Sequence, residues 1–221
     1  MAIPKGLFIF FDPHAYMALG APYGGASPWM LRQGVLKALE QAQRMLQEHR
    51  PGWKIMVFDA YRPNAVQAFM VEREYGLLAQ AEGLDLHKLS AADRERLSKG
   101  VFRLWGIPSE APTTPPPHST GAAIDLTLAD EKGKEVDMGS PIDENSDRSN
   151  PDYFAAAPDA ASRQADANRK LLNAIMAAQG FYRASDEWWH FSKGDQSAAW
   201  HERQANPGSQ VEAIYGRADL V

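Results

Sequence analysis

Two short stretches carry residues that together could activate water. The first is Pro117-His118-Ser119-Thr120-Gly121-Ala122-Ala123-Ile124-Asp125-Leu126-Thr127-Leu128. From Ala122 it alternates, with Ile124, Leu126 and Leu128 on one face and Asp125 and Thr127 on the other, as in a half-buried strand. Fully extended, His118 and Asp125 would lie up to ~24 Å apart. Gly121 can take the backbone angles that fold the chain back and bring them together. A neutral imidazole and a carboxylate converging in this way are two thirds of a catalytic zinc site. The second stretch, Asp186-Glu187-Trp188-Trp189-His190-Phe191, supplies the rest. With His190 as third ligand, Glu187 can reach water on the metal and act as general base.

A third candidate lies in Asp59-Ala60-Tyr61-Arg62-Pro63, just past the apolar run Trp53–Phe58. Pro63 keeps Arg62 extended, and a guanidinium fixed at a strand end can hold an oxyanion or a carboxylate. A surface Arg62–Asp59 pair accounts for the same spacing, so both readings stand at this point. The pieces are weak one by one. A lone histidine is more often structural than a ligand, and Glu-x-x-His recurs by chance.

The elements that must position these groups follow from periodicity. Lys5-Gly6-Leu7-Phe8-Ile9-Phe10-Phe11-Asp12 reads as a first strand, and residues 12–26 as a loop broken by Pro and Gly. Base rates assign Tyr16 and Tyr23 in that loop to packing. Ser27-Pro28 opens a helix with an apolar stripe of Leu31, Val35, Leu39, Ala42 and Leu46, stopped at Arg50-Pro51-Gly52. Residues 53–58 form a buried strand. Asn64 caps a helix running to about Ala81, and Ser90-Ala91-Ala92-Asp93 opens a third that runs to about Trp105. Residues 106–117 hold five prolines and form a stiff lead-in to His118. After the 122–128 strand come a turn at 130–134, a return strand near 135–138, an acidic loop over 139–158 and a helix from about 160 to 179. Trp188 and Trp189 are expected to pack, and His201 to be exposed in an irregular tail from residue 193.

Elements of this kind fit one domain over residues 1–221. The composition suits this, at 221 residues, 44 % hydrophobic and 23 % charged. A net charge of −5 and a pI near 5.7 argue against a nucleic-acid partner. No apolar run reaches the ~18 residues of a membrane span, and the first apolar run is too short for a secretory core. The expected compartment is therefore the cytoplasm, with the periplasm left open. With no cysteine, thiolate ligands and a thiol nucleophile are excluded.

Asp59-Ala-Tyr-Arg62-Pro, the His118–Leu128 stretch and Glu187-Trp-Trp-His190, in this order, resemble the D-alanyl-D-alanine dipeptidases of the vancomycin-resistance type, within the wider zinc D,D-peptidases. Met138-Gly-Ser-Pro-Ile-Asp143-Glu-Asn-Ser-Asp147-Arg-Ser149 favours the dipeptidase branch. The resemblance implies an α+β fold, a central antiparallel sheet carrying the zinc site and flanked by helices, with one zinc ion on His118, Asp125 and His190 and Glu187 as general base. It implies that Arg62 stabilises the tetrahedral intermediate and that Asp143 holds the ammonium of a small dipeptide substrate. A D,D-carboxypeptidase or peptidoglycan endopeptidase, and a non-catalytic zinc module, remain as alternatives. Three departures bear on recognition. Pro116 and Pro117 stand where the family pattern has serines, Thr120 stands where it has arginine, and the N-terminal region looks shortened.

Overall fold

The computed structural model describes residues 1–218. Five strands form one sheet: β1 (Ile9–Phe10), β2 (Lys54–Asp59), β3 (Ala123–Ala129), β4 (Tyr182–Arg183) and β5 (His190–Ser192). Their order is β1-β2-β3-β5-β4. The sheet is antiparallel except where β1 runs parallel to β2. Among the described residues, six helices surround it: α1 (Ala15–Ala18), α2 (Gln33–His49), α3 (Asn64–Ala81), α4 (Ala91–Leu104), α5 (Ala160–Ala177) and α6 (Gln196–Ala205). The expected α+β architecture is therefore present, with a mixed sheet at one edge. Among the described residues, no helix is long and apolar enough to cross a membrane.

The alternation of β3 divides the core. Ile124, Leu126 and Leu128 join Val35, Leu39 and Leu46 of α2 and Leu172, Ile175 and Met176 of α5 in one apolar cluster. A second cluster gathers Phe58, Val66, Met70 and Val101 around Tyr16 and Trp105 under α3 and α4. Asp125 and Thr127 face away from the first cluster but are buried all the same, at 2 % and 0 % exposure. A carboxylate in that position needs charged partners, so the polar face of β3 must be a site rather than a wet surface.

Several elements differ from expectation, each for a local reason. The first long helix begins at Gln33, not at Ser27-Pro28. Ile3 donates its N–H to the Trp29 carbonyl and Leu31 donates to the Met1 carbonyl, so the backbone of 29–31 pairs with the N-terminus. Asn64 is the first residue of α3 and not its cap; its Oδ1 accepts from Ser109 N–H at 3.1 Å and ties down the proline-rich lead-in. The return strand shrinks to one bridge, Ala129 to Glu135. The tail is not irregular throughout, because residues 196–205 form α6, capped by Asp195 accepting from Ala198 N–H. The Ser90–Asp93 capping box is present as expected.

The acidic 139–158 loop is held by a buried arginine on α5. Arg169, 1 % exposed, donates to the carbonyls of Met138, Asn150 and Arg148 and to Ser140 Oγ. Removing the guanidinium strands several buried acceptors, each worth about 1–3 kcal/mol. Arg169→Leu should therefore lower the unfolding free energy by roughly 3 kcal/mol. A urea unfolding midpoint equal to the parent's would show that the loop is held by something else.

Candidate active site

Sheet register builds the floor of the site. Asp59 on β2 pairs with Asp125 on β3, and Asp125 pairs with His190 on β5. Three chemistry-bearing residues therefore stand in one row across three strands. A register shift in β2 between Val57 and Asp59 is what brings Asp59 onto that row. His118 enters from a 3₁₀ turn over Pro117–Thr120, which ends at Gly121 with φ 69°. That left-handed residue makes the turn into β3 possible.

The ligand atoms converge. His118 Nδ1 lies 2.8 Å from the Ala60 carbonyl oxygen, which can only accept, so Nδ1 carries the proton and Nε2 keeps its lone pair. That Nε2 is 3.2 Å from Asp125 Oδ2 and 3.1 Å from His190 Nδ1. His190 Nδ1 is in turn 2.9 Å from Asp125 Oδ1, while its Nε2 faces Ser192 Oγ at 3.2 Å. The ligand atoms of His118, Asp125 and His190 all lie within 4.8 Å of one another. Bonds of ~2.0–2.1 Å in a tetrahedron would put neighbouring donors roughly 3.3 Å apart, so this set fits a divalent cation such as zinc. Ser192 and Ala60 are the outer partners that such histidines need to fix their rings.

Arg62 is a buried hub, 5 % exposed. Its Nε donates to Asp59 Oδ2 at 2.8 Å and Nη1 donates to Gln67 Oε1 at 3.0 Å. Nη2 donates to Asp125 Oδ2 at 2.9 Å and to Tyr16 OH at 3.1 Å. The Arg62–Asp59 pair exists, but in the interior, so the surface-pair reading is set aside. Tyr16 OH also donates to Asp143 Oδ2 at 2.8 Å, which links the acidic loop to the arginine. Asp143 sits at φ 63°, a left-handed conformation that aims its side chain inward. Glu187 Oε2 lies 3.9 Å from His190 Nδ1. A cavity of about 310 Å³ opens over this group, and Arg62, His118, Asp125, Asp143, Glu187 and His190 all line it.

The charges are unevenly balanced. Burial pushes the Glu187 carboxyl up, with Asp125 adding to the effect and His190 opposing it. Burial, then the nearby Asp125 carboxylate, raises the Asp143 carboxyl to about 7. Burial would also raise Asp125, but the His118 and His190 imidazoles outweigh it and hold that carboxyl far below its usual range. For Asp59 the Arg62 guanidinium overcomes burial in the same way, with help from His14.

All six expected site residues meet in this one cavity. Four further residues escaped the sequence reading: His14, Tyr16, Asp59 as a buried group, and Gln67. His14 Nε2 lies 3.0 Å from Asp59 Oδ1, and Tyr23 OH donates to the same oxygen at 3.2 Å. Tyr16 and Tyr23, assigned to loop packing, thus contact the polar network directly. The only signal for them was a Tyr- and His-containing loop without usable spacing. His201, expected to be exposed, is half-buried at the cavity wall. Pro116 and Pro117 line the cavity, whereas Thr120 turns inward, donating to Pro117 O at 2.6 Å.

Comparison with known proteins decides the family. A family model for D-Ala-D-Ala dipeptidases, peptidase M15, matches residues 11–209. The chain belongs to this family. It is 46 % identical over 213 residues to a D-alanyl-D-alanine dipeptidase of Synechocystis sp., covering 94 % of this chain and 86 % of the relative. A D-alanyl-D-alanine dipeptidase of Escherichia coli is 54 % identical over 74 residues, 34 % of this chain and 36 % of that one. This D-Ala-D-Ala dipeptidase family member is thus a peptidase, and its His118–Asp125–His190 cluster is a possible metal site.

Asp59 offers a test of the network that is separate from catalysis. Its folded carboxyl lies below the unfolded value of about 3.9, so its stabilising contribution is full above roughly pH 4 and is lost as pH falls through the folded value. Asp59→Asn should cost roughly 3 kcal/mol at pH 7, because Arg62 and His14 lose a buried charged partner. It should also flatten the fall of stability below pH 4. Urea unfolding of parent and variant between pH 3 and 7 reads both effects.

Proposed function

We propose that the protein is a zinc-dependent dipeptidase that hydrolyses D-Ala-D-Ala or a similar D,D-dipeptide. The observation that carries this reading is the convergence of His118 Nε2, Asp125 and His190 Nδ1 beside Glu187 and Arg62. A structural zinc site would need neither the extra carboxylate nor the guanidinium, so the arrangement favours an enzyme over a binding module. Zinc held by the three residues would acidify a coordinated water to a pKa of about 7 and polarise a carbonyl.

The chain's own groups then divide the work. Glu187, raised by burial, is a carboxylate suited to take a proton from the attacking water and pass it to the leaving amine. Arg62 would supply a fixed positive charge where the scissile oxygen gains charge, and Asp59 and Gln67 hold its guanidinium in place. Asp143 accepts the substrate's ammonium. A carboxyl raised to about 7 by burial and neighbouring anions regains its charge when a cation docks beside it. Tyr16 OH holds that acid in place. An acid held at the cavity wall by a tyrosine suits a free amine, which favours a dipeptidase over a carboxypeptidase acting on a longer stem.

Metal analysis with a D-Ala-D-Ala hydrolysis assay tests the reading. Chelation should abolish turnover, and added zinc should restore it. Glu187→Gln should retain zinc and lose at least about 10²-fold in kcat, the lower range for a general base. Substantial residual turnover in that variant would remove Glu187 from the base role. Asp143→Asn should act differently, raising KM by about tenfold or more as the ammonium loses its partner. An unchanged KM would place the ammonium elsewhere.

A further inference from the structure

One buried acid has no part in the proposed chemistry. Asp195 is fully buried, at 0 % exposure, and caps α6 by accepting from Ala198 N–H through Oδ1 at 2.8 Å. Its other oxygen, Oδ2, is buried and has no hydrogen-bond partner among the described residues. A helix cap needs one oxygen and no burial. Asp159 caps α5 in the same way, accepting from Ser162 N–H, and stands exposed. A dry, unpaired carboxylate oxygen costs stability, so the cap alone does not account for Asp195.

The turn that carries Asp195 is tied down. Gly194, at φ 81°, leads the chain from β5 into α6, and its carbonyl accepts from Ile214 and Tyr215 N–H at 2.8 and 3.0 Å. Lys193 N–H donates to the Ala122 carbonyl at 2.9 Å. Just before them stands Ser192, also 0 % exposed, whose Oγ lies 3.2 Å from His190 Nε2. Burial raises the Asp195 carboxyl, while Ala198 N–H, the Ser192 hydroxyl and the His190 and His118 imidazoles pull it back. The hydroxyl that meets His190 therefore also acts on the acid whose Oδ2 lacks a partner.

A hydroxyl has one proton, and its direction decides the state of His190. Turned onto Nε2, it would make that nitrogen the acceptor and put the ring proton on Nδ1, the atom that faces Asp125 and His118. Such a tautomer cannot ligate a metal through Nδ1. Turned onto Asp195, the hydroxyl leaves its oxygen free to accept from Nε2–H, and Nδ1 keeps its lone pair. Building on the zinc dipeptidase reading, we propose that Asp195 is a positioning residue for the metal: it accepts from the Ser192 hydroxyl, and Ser192 in turn accepts from His190 Nε2–H and so leaves Nδ1 open to zinc. Asp195 acts through these two residues and touches neither metal nor substrate.

Zinc affinity, measured by competition with a chromophoric chelator, tests this without any turnover. Asp195→Asn keeps an oxygen for the α6 cap but turns an N–H toward Ser192, and should weaken zinc binding roughly 10–100-fold. Ser192→Ala should weaken it by a similar factor, and the double variant no further than the weaker single one. Asp159→Asn, the same change in the cap of α5, should bind zinc as the parent does. In isotope-labelled, zinc-loaded protein, the His190 Nε2–H resonance should shift in Asp195→Asn and stay in place in Asp159→Asn. A melting scan of the metal-free variants checks folding. Should Asp195→Asn not fold, Asp195→Ser, which keeps a capping oxygen and loses the second, takes its place. Zinc affinity within about threefold of the parent in the Asp195 variant overturns the proposal. So do single losses that multiply in the double variant, or an equal loss in Asp159→Asn. Those results leave the dipeptidase reading standing, whereas a parent that binds no zinc removes that reading and the relay with it.

Discussion

Arg62 shares one guanidinium between Asp59 and Asp125 inside the protein, and the rest of the site is arranged around that shared cation. Its planar fork offers several donors in fixed directions, and Asp59, Gln67, Tyr16 and Asp125 occupy four of them. The same contact orients Asp125 toward the two histidines. Buried ion pairs add little net stability, since desolvation offsets attraction. They do restrict geometry, and a catalytic group gains most from restricted geometry. One positive charge does not balance this pocket. Asp59, Asp125, Asp143 and Glu187 all lie against it, and Asp143 and Glu187, which the guanidinium does not bond directly, are the two whose carboxyls rise. The surplus of negative charge suits a divalent cation at one point and an ammonium at another.

The backbone sets where these charges can stand. In an antiparallel sheet, paired residues project to the same face, so the Asp59–Asp125–His190 row follows from the strand register together with the shift in β2 between Val57 and Asp59. A slip by one residue would turn Asp125 into the apolar cluster of α2 and α5 and bring Ile124 or Leu126 to the site. The apolar alternation of β3 thus protects the site: Ile124, Leu126 and Leu128 in the core hold the Asp59–Asp125–His190 row in place. Arg169 does for the 139–158 loop what the sheet does for the row. It fixes a segment without regular structure so that Asp143 has a defined position.

The residues that were legible in the sequence are those tied to periodicity or to a turn. Asp125 stood out because it interrupts one face of an apolar strand, and His118 because a glycine turn joins it to that strand. Glu187, His190 and Arg62 stood at strand ends. His14, Tyr16 and Gln67 were not legible, because a loop residue and a helix residue reveal nothing of their tertiary neighbours. Asp59 was visible only as a local partner of Arg62, and nothing in the spacing said that the pair is buried. The helix expected from Ser27 begins later for a similar reason: a distant segment, the N-terminus, claims the backbone of residues 29–31. The α6 helix was lost in a polar stretch whose apolar positions, Ala198 and Ala199, are too small to give a stripe.

The asymmetry of the cavity bears on how a dipeptide is chosen over a longer chain. Length can be measured at either end of a substrate, by a wall or by a charge that must be matched. On the proposed reading the amine side would use both: Asp143 presents an anion, and Tyr16 and Arg62 stand behind it. An acylated amine brings no positive charge, so it would leave Asp143 with no cation and meet buried side chains at once. On that reading, selection for a free amino terminus would fall to this charged end. Discrimination by an unmatched buried charge is far sharper than discrimination by apolar size, where a methylene is worth only about 1–3 kcal/mol. An enzyme built this way would be strict about the amine.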